Sequence, residues 1–257
     1  MALESVRGLP IGPMLIQSAL EDLPFNLSLG QTEYMRELQY SLGWREVASL
    51  NHYVFAPTYQ QDLSGSLPRG LAHLGSIGIG FLHKWKLRNH RYAAQDHRLR
   101  RITEFSEESH GPLWDQMSGN AENCVVRDPS YMNWKYIDQP QAPYCCWELW
   151  RGTDICGLVV TRTTPPDSVY KHTRGHIVDF VFDTRDNVLF QALLATSIEK
   201  LVAQGAANIN LYLTDQTLER AVRSFGFVSR GARHHLLVAS SDNDSERNQV
   251  LMSLSGF

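Results

Sequence analysis

The side chains best placed for acid–base chemistry lie in one strand-like stretch. Gly175-His-Ile-Val-Asp-Phe-Val-Phe182 is apolar except for His176 and Asp179. Asp179 sits between Val178 and Phe180, where burial disfavours the charged carboxylate, raises its pKa and makes it a better base. The two polar residues are three apart, so in an extended strand they face opposite sides and only one can look into a cleft. Each can equally be a satisfied structural group of a buried strand. Other motifs carry less. Gly75-Ser-Ile-Gly-Ile-Gly80 has the glycines of a phosphate loop, but no Lys-Ser/Thr follows and no strand clearly precedes it. No Gly-x-Ser-x-Gly occurs, which removes the hydrolase elbow. Cys124, Cys145, Cys146 and Cys156 contain no Cys-x-x-Cys pair and no zinc-ligand spacing, so reduced thiols are expected. His234-His235 has no clustered carboxylate, and no metal is expected there.

The elements that must position these residues can be read from periodicity. Met14 to Leu23 carries a helical apolar stripe, and Phe25 to Leu29 alternates like a strand. Thr32 can cap a helix running through Leu42, with Gly43 as its stop, and Glu46 to Ala56 is rich in β-formers. Farther on, Gly111 to Ser118 and Ser130 to Ile137 read as helical. Tyr144–Trp150, Ile155–Arg162 and Gly175–Phe182 read as strands, the first two joined by a hairpin turn at Arg151-Gly152-Thr153-Asp154. A long helix over Val188–Gln204 stops at Gly205. A strand at Asn208–Leu213, a helix at Gln216–Phe225 and a last strand at His234–Ala239 complete the pattern.

Composition narrows the class. Hydrophobic residues make up 43% and charged residues 20%, as in an ordinary globular protein. The net charge of −3 gives no global pull toward DNA or an anionic membrane. No run of 18 apolar residues is present, and the first residues lack the pattern of a secretory signal, so a cytoplasmic protein is expected. Residues 58–102 are glycine- and proline-punctuated and then basic, with Lys84, Lys86, Arg88, Arg91, Arg98, Arg100 and Arg101. This reads as a connector with a helix near 81–95. Phe81, Leu82 and Trp85 would allow weak contact of 81–101 with a membrane surface or an acidic partner.

The sequence repeats itself in part. Met14-Leu-Ile-Gln-Ser-Ala-Leu-Glu21 matches Ala192-Leu-Leu-Ala-Thr-Ser-Ile-Glu199, Asn26–Leu29 matches Asn210–Leu213, and Ser41–Trp44 matches Ser224–Phe227, all in the same order. A hairpin sheet, a helix after a central strand, a further strand, a helix ending in Gly-aromatic and a last strand resemble the GNAT superfamily of acyl-CoA N-acyltransferases. Leu42-Gly-Trp44 and Phe225-Gly-Phe227 look like that family's Gly-Phe element. Asp128 to Tyr144, with Asn133-Trp134-Lys135-Tyr136 and Pro140, looks like bacterial tandem GNAT proteins from polysaccharide-biosynthesis clusters. The expected fold is therefore α/β, a mixed central sheet flanked by helices, with a preceding partial GNAT repeat. Residues 1–57 would be the C-terminal half of a first unit, 58–102 a linker, 103–240 a GNAT-like domain and 241–257 a tail. Such a first unit implies a fragment of a longer protein.

The resemblance also implies a chemistry. The family binds the pyrophosphate of acyl-CoA with a Q/R-x-x-G-x-G/A loop at a helix N-terminus, where free N–H groups and the helix dipole favour an anion. Arg7-Gly8-Leu9-Pro10-Ile11-Gly12 fits except for Pro10, which has no N–H to give. The collinear Arg185-Asp186-Asn187 keeps the arginine, loses both glycines and places Asp186 where a phosphate would sit. The central-strand base would be Asp179 or His176. Gln39 and Val222 stand where the family has its tyrosine acid, so Tyr212 is the substitute, while Asp215 is expected to cap a helix. The implied function is N-acyl transfer from acetyl-CoA or another acyl-CoA to an amino sugar or similar small polar amine. Degraded loops leave two alternatives open: a catalytically degenerate scaffold for a protein or glycan partner, and a relative that transfers aminoacyl groups from tRNA.

Overall fold

A computed structural model describes residues 11–22, 25–57, 96–119 and 125–240. Arg7, Gly8, Cys124, the glycine-rich 75–80 segment, the expected helix near 81–95 and the tail lie outside the described residues. The chain divides into two compact units, Met1–Asn51 with Gly231–Phe257, and His52–Arg230. Among the described residues the architecture is mixed α/β, with eight strands and flanking helices.

The first unit holds helix α1 (Ile11–Asp22), strand β1 (Phe25–Leu29), helix α2 (Glu33–Ser41) and the start of β2 (Arg45–Phe55). Most of β8 (Val228–Ser240), which runs antiparallel to β1, completes it. The Thr32 hydroxyl accepts from the Met35 N–H and starts α2, as its position predicts. Trp44, Leu237 and Ala239 form a small core with Ile16, Leu20 and Leu42. Here Glu46 accepts from Tyr40 at 2.7 Å and from Ser49 at 2.6 Å, and His235 Nδ1 lies 2.8 Å from it. Burial alone would raise the Glu46 pKa, but hydrogen bonds from His235, Ser49 and Tyr40 outweigh it and hold the group down to about 2.

The second unit begins with the end of β2 and continues with β3 (His97–Ile102), α3 (Glu107–Ser118) and α4 (Pro129–Met132). A π-turn over Asn133–Ile137 leads to the hairpin β4 (Tyr144–Arg151) and β5 (Asp154–Thr164), then β6 (Arg174–Phe182), α5 (Asn187–Ala203), β7 (Asn208–Leu213) and α6 (Gln216–Ser224). Strands β3 to β6 pair antiparallel in chain order, and β6 pairs parallel with β7. One face carries the larger core, where Phe190, Leu193, Leu194, Ile198 and Leu201 of α5 meet Leu149, Val159, Ile177 and Ile209. The other face packs Leu113, Met117, Met132 and Tyr136 on Cys146, Leu158, Val160 and Val181. Residues of α5 are buried almost all round, as expected of a helix enclosed by strands and by α6.

Three elements differ from expectation for identifiable reasons. Helix α3 starts at Glu107 rather than Gly111, because Ser106 accepts from Ser109 N and two glutamates suit the first turn. β3 forms inside the basic run: Leu99 packs on the core while Arg98, Arg100 and Arg101 stay at the sheet edge, a placement that blunts edge pairing. β8 begins six residues before His234 because backbone pairing, not apolar alternation, sets its length. Helix stops are as expected, with Gly205 and Gly226 at φ 84° and 99°, a region that favours glycine.

Candidate functional site

The site grows from a kink in β6. Opposite β5, Thr161 pairs with Ile177 and Val160 with Asp179, leaving Val178 as an extra residue. That bulge shifts the alternation of the strand. Ile177 and Phe180 consequently share the α5 face, although they are three apart. The same shift overturns the expectation for His176 and Asp179: they share the opposite, polar face. Arg162 pairs across from His176 and lies over the Tyr144 ring, Tyr144 meets Tyr136 edge-on at 5.1 Å, and Tyr136 bonds Asp179.

Asp179 does not sit in the apolar surroundings its neighbours suggest. Tyr136 donates its hydroxyl to Oδ2 at 2.6 Å, Arg127 donates Nε to Oδ1 at 2.8 Å, and the Phe180 N–H also donates to Oδ1. The carboxylate is thus an ion-paired, hydrogen-bonded anchor. The π-turn carries Tyr136 to it, with Asp138 N–H reaching back five residues to the Asn133 carbonyl. Asn133 locks that turn by bonding both backbone groups of Phe105, at 2.8 and 2.7 Å. Burial, then the Asp179 charge, pushes the Tyr136 phenol far above its ordinary range, so it stays protonated as a donor.

His176 is neutral at physiological pH. Burial first, then the charges of Arg174 and Arg162 and nearby His52, lower it to about 4. Along the neighbouring strand, Asn210 pairs across from His176 and bonds the Gly175 carbonyl and His52. The His52 ring stacks on Tyr212 at 4.6 Å, which leaves Tyr212 partly exposed at the far end of the same face. Pairing of β6 with β7 ends at Ile177 and Leu211, although β6 runs on to Phe182. Beyond the bulge, β6 therefore has an edge that β7 does not cover.

The start of α5 is arranged as an ordinary helix entry. Asp186 caps it by accepting from Leu189 N at 2.9 Å, and Arg185 is held to Asp183 through Nε and NH2 at 2.9 and 2.7 Å. Asn187 is the first helical residue. Two carboxylates thus stand where a diphosphate would need free donors, and the group does not fit there as the side chains lie. Gly12 lies inside the first turn of α1 rather than in a loop. Asp215 caps α6, accepting from Thr217 N at 2.7 Å.

Sequence reasoning did not find Arg127, Arg162, Tyr144 or His52 as members of this face. In the sequence, Tyr136 stands out only as part of the Asn133–Tyr136 motif. No signal in the sequence pairs Arg127 with a residue 52 positions away.

No protein-family model matches the sequence, and no curated protein does either. Solved structures do match. A GCN5-related N-acetyltransferase from Anabaena variabilis matches with a TM-score of 0.58 at 11% identity, over 93% of this chain and 52% of that one. The fold is the GNAT fold. A second GNAT-fold structure, from Kribbella flavida, matches at 0.54 and 12% identity over 93% and 50%. N-myristoyltransferase from Saccharomyces cerevisiae, solved with bound myristoyl-CoA, matches at 0.55 and 11% over 93% and 60%. The chain thus spans about half the length of these GNAT-fold structures. Among the described residues, no group of three or more His, Cys, Asp or Glu could hold a metal ion, and no helix is long and apolar enough to cross a membrane.

Proposed function

We propose that this chain is an acyl-CoA-dependent N-acyltransferase whose acceptor is an amino sugar or a similar small polar amine. The observation that carries this reading is the Asp179–Tyr136–Arg127 cluster at the point where bulged β6 leaves β7. An uncovered strand edge can take an extended, amide-bearing chain by backbone hydrogen bonding, as the pantetheine arm of an acyl-CoA would require. Asp179 then stands beside the acceptor amine, fixed by Arg127 and Tyr136, and as a base it must exchange one of those partners for the amine. Neutral His176 offers a second acceptor on the same face. Tyr212 is the candidate that returns a proton to the leaving thiolate. Arg185 is the candidate phosphate ligand once it exchanges Asp183 for the diphosphate, with Asp186 and Asn187 beside it; in the first unit the candidates are Arg7, Gly8 and Gly12, the last of them in the first turn of α1. The collinear sequence matches support a tandem origin, and the Asn133–Tyr136 motif supports a place in polysaccharide biosynthesis, in the cytoplasm.

The two carboxylates at the start of α5 favour a second reading, a GNAT scaffold that binds a partner without transferring an acyl group. A thermal-shift titration with acetyl-CoA separates the two. Ligand at about 100 times its dissociation constant should stabilise the fold by roughly 2.7 kcal/mol. A saturable shift that Arg185→Ala removes supports the transferase; no shift at millimolar acetyl-CoA leaves only the scaffold.

A further inference from the structure

The polar face of the second unit holds more positive charge than its own carboxylates neutralise. Asp179 is matched by Arg127 and Asp167 by Arg174. Glu148 is engaged away from them, accepting from His110 Nε2 at 2.9 Å and from Trp150 Nε1 at 2.8 Å. Two cations beside the Tyr136 and Tyr144 rings have no carboxylate partner among the described residues. Arg162 is half-buried, its guanidinium 5.8 Å from the Tyr144 ring centre, and its Nε is buried with no hydrogen-bond partner among the described residues. Lys135 places Nζ 5.1 Å from the ring centres of both Tyr131 and Tyr136 and donates to the Tyr131 hydroxyl.

These two cations flank one aromatic pair, since the Tyr136 and Tyr144 rings lie 5.1 Å apart. Cation–π contact steadies each charged head but satisfies none of its N–H donors. A buried guanidinium N–H without an acceptor is costly unless something supplies one. The planar guanidinium fork matches a carboxylate or phosphate. His176, directly across from Arg162, adds no charge at neutral pH and would not compete for the anion. The nearest carboxylate on the face, Asp179, is already neutralised by Arg127.

We propose that the acceptor amine carries an oxyanion, a carboxylate or a phosphate, and that Arg162 receives it beside the Tyr144 ring, with Lys135, beyond Tyr136, adding positive charge at longer range. This rests on the transferase reading above for the word acceptor, and it names that acceptor's class. An anion held at Arg162 would leave the amine end of the same molecule free to lie along the face toward His176 and Asp179.

The test is calorimetric titration without any acyl donor, at constant ionic strength, with three related amines: glucosamine, glucosamine 6-phosphate and muramic acid. One or both anionic amines should bind at least about tenfold more tightly than glucosamine, and the preferred one tells phosphate from carboxylate. Arg162→Gln should bring the ratio to within about twofold, Arg162→Lys should restore part of it, and Lys135→Gln should lower it by about threefold. Circular dichroism checks the fold of each variant; if Arg162→Gln does not fold, Lys135→Gln decides. Equal affinities for the three amines, unmeasurable ones included, overturn the proposal. So does a preference unchanged in both Arg162→Gln and Lys135→Gln. Coenzyme A release is measured separately: anion-selective binding without transfer would keep this inference and sink the activity, and transfer to neutral amines alone would do the reverse.

Discussion

Tyr136 donates its hydroxyl to Oδ2 of Asp179 at 2.6 Å, joining a π-turn to a bulged strand 43 residues away. The bond exists because two local irregularities coincide. The π-turn shifts Tyr136 relative to a regular helix, and the bulge at Val178 brings Asp179 to the face where that phenol arrives.

Tyr136→Phe removes only the hydroxyl and leaves the ring in its core. It should cost about 1.5–3 kcal/mol, the range for a hydrogen bond to a charged group. Arg127→Met should cost more, because it leaves the Asp179 carboxylate without its counter-charge in a partly buried place. Urea unfolding of both variants checks the order; a smaller loss for Arg127→Met would mean that Asp179 does not depend on the guanidinium.

Acid should weaken the second unit through His176. The folded imidazole takes its proton near pH 4, whereas an unfolded one does so near about 6.5. Between those values the unfolded chain binds more protons, so stability rises with pH and is lost on acidification. The full gap corresponds to about 3.4 kcal/mol, and solvent screening of the partly exposed ring keeps the realised effect below that. Melting temperatures from pH 7 to 4 should therefore fall less steeply in His176→Gln than in the parent, and parallel curves would remove His176 as the cause.

A different window belongs to the first unit. Glu46 is held at about 2 by His235, Ser49 and Tyr40 against the opposing effect of burial. Its contribution is present above the ordinary glutamate range and is lost as pH falls from about 4.3 toward 2. Glu46→Gln should flatten the stability curve in that lower window and leave the pH 6.5–4 segment unchanged. Hydrogen exchange of β1 and β8 amides, followed against pH, reads the first unit separately.

Gly175 of β6 packs tightly against the start of β7 and the residues before it. A Cβ there would lie 3.1 Å from Ala206 Cβ and 3.3 Å from both the Asn208 carbonyl oxygen and Ile209 Cγ1. Because one neighbour is backbone, β7 must give way by a few tenths of an ångström. Gly175→Ala should destabilise by about 1–3 kcal/mol, within the usual cost of overpacking. It should also loosen the His176–Asn210 register, seen as faster exchange of β7 amides; a variant as stable as the parent would show that the pair can separate freely.

Much of the fold was legible because its signals are local. Apolar alternation marked β4, β5 and β6, side-chain caps at Thr32 and Asp215 marked helix starts, and glycines at 205 and 226 marked helix ends. The order of those elements already pointed to the GNAT fold, and His176 and Asp179 were singled out from residue type alone. What only tertiary structure decided was direction and partnership. A single extra residue at Val178 turned two side chains expected on opposite faces toward the same one, and no propensity announces a bulge. Arg127 reached Asp179, and Arg162 met Tyr144, through sheet register and chain folding over tens of residues. The start of α5 was decided the same way: a motif can supply an arginine, but Asp183, two residues away, took its guanidinium. Backbone propensity acts over a few neighbouring residues, whereas the charge and hydrogen bonding at a site are settled by whichever groups the packed chain brings within about 3 Å.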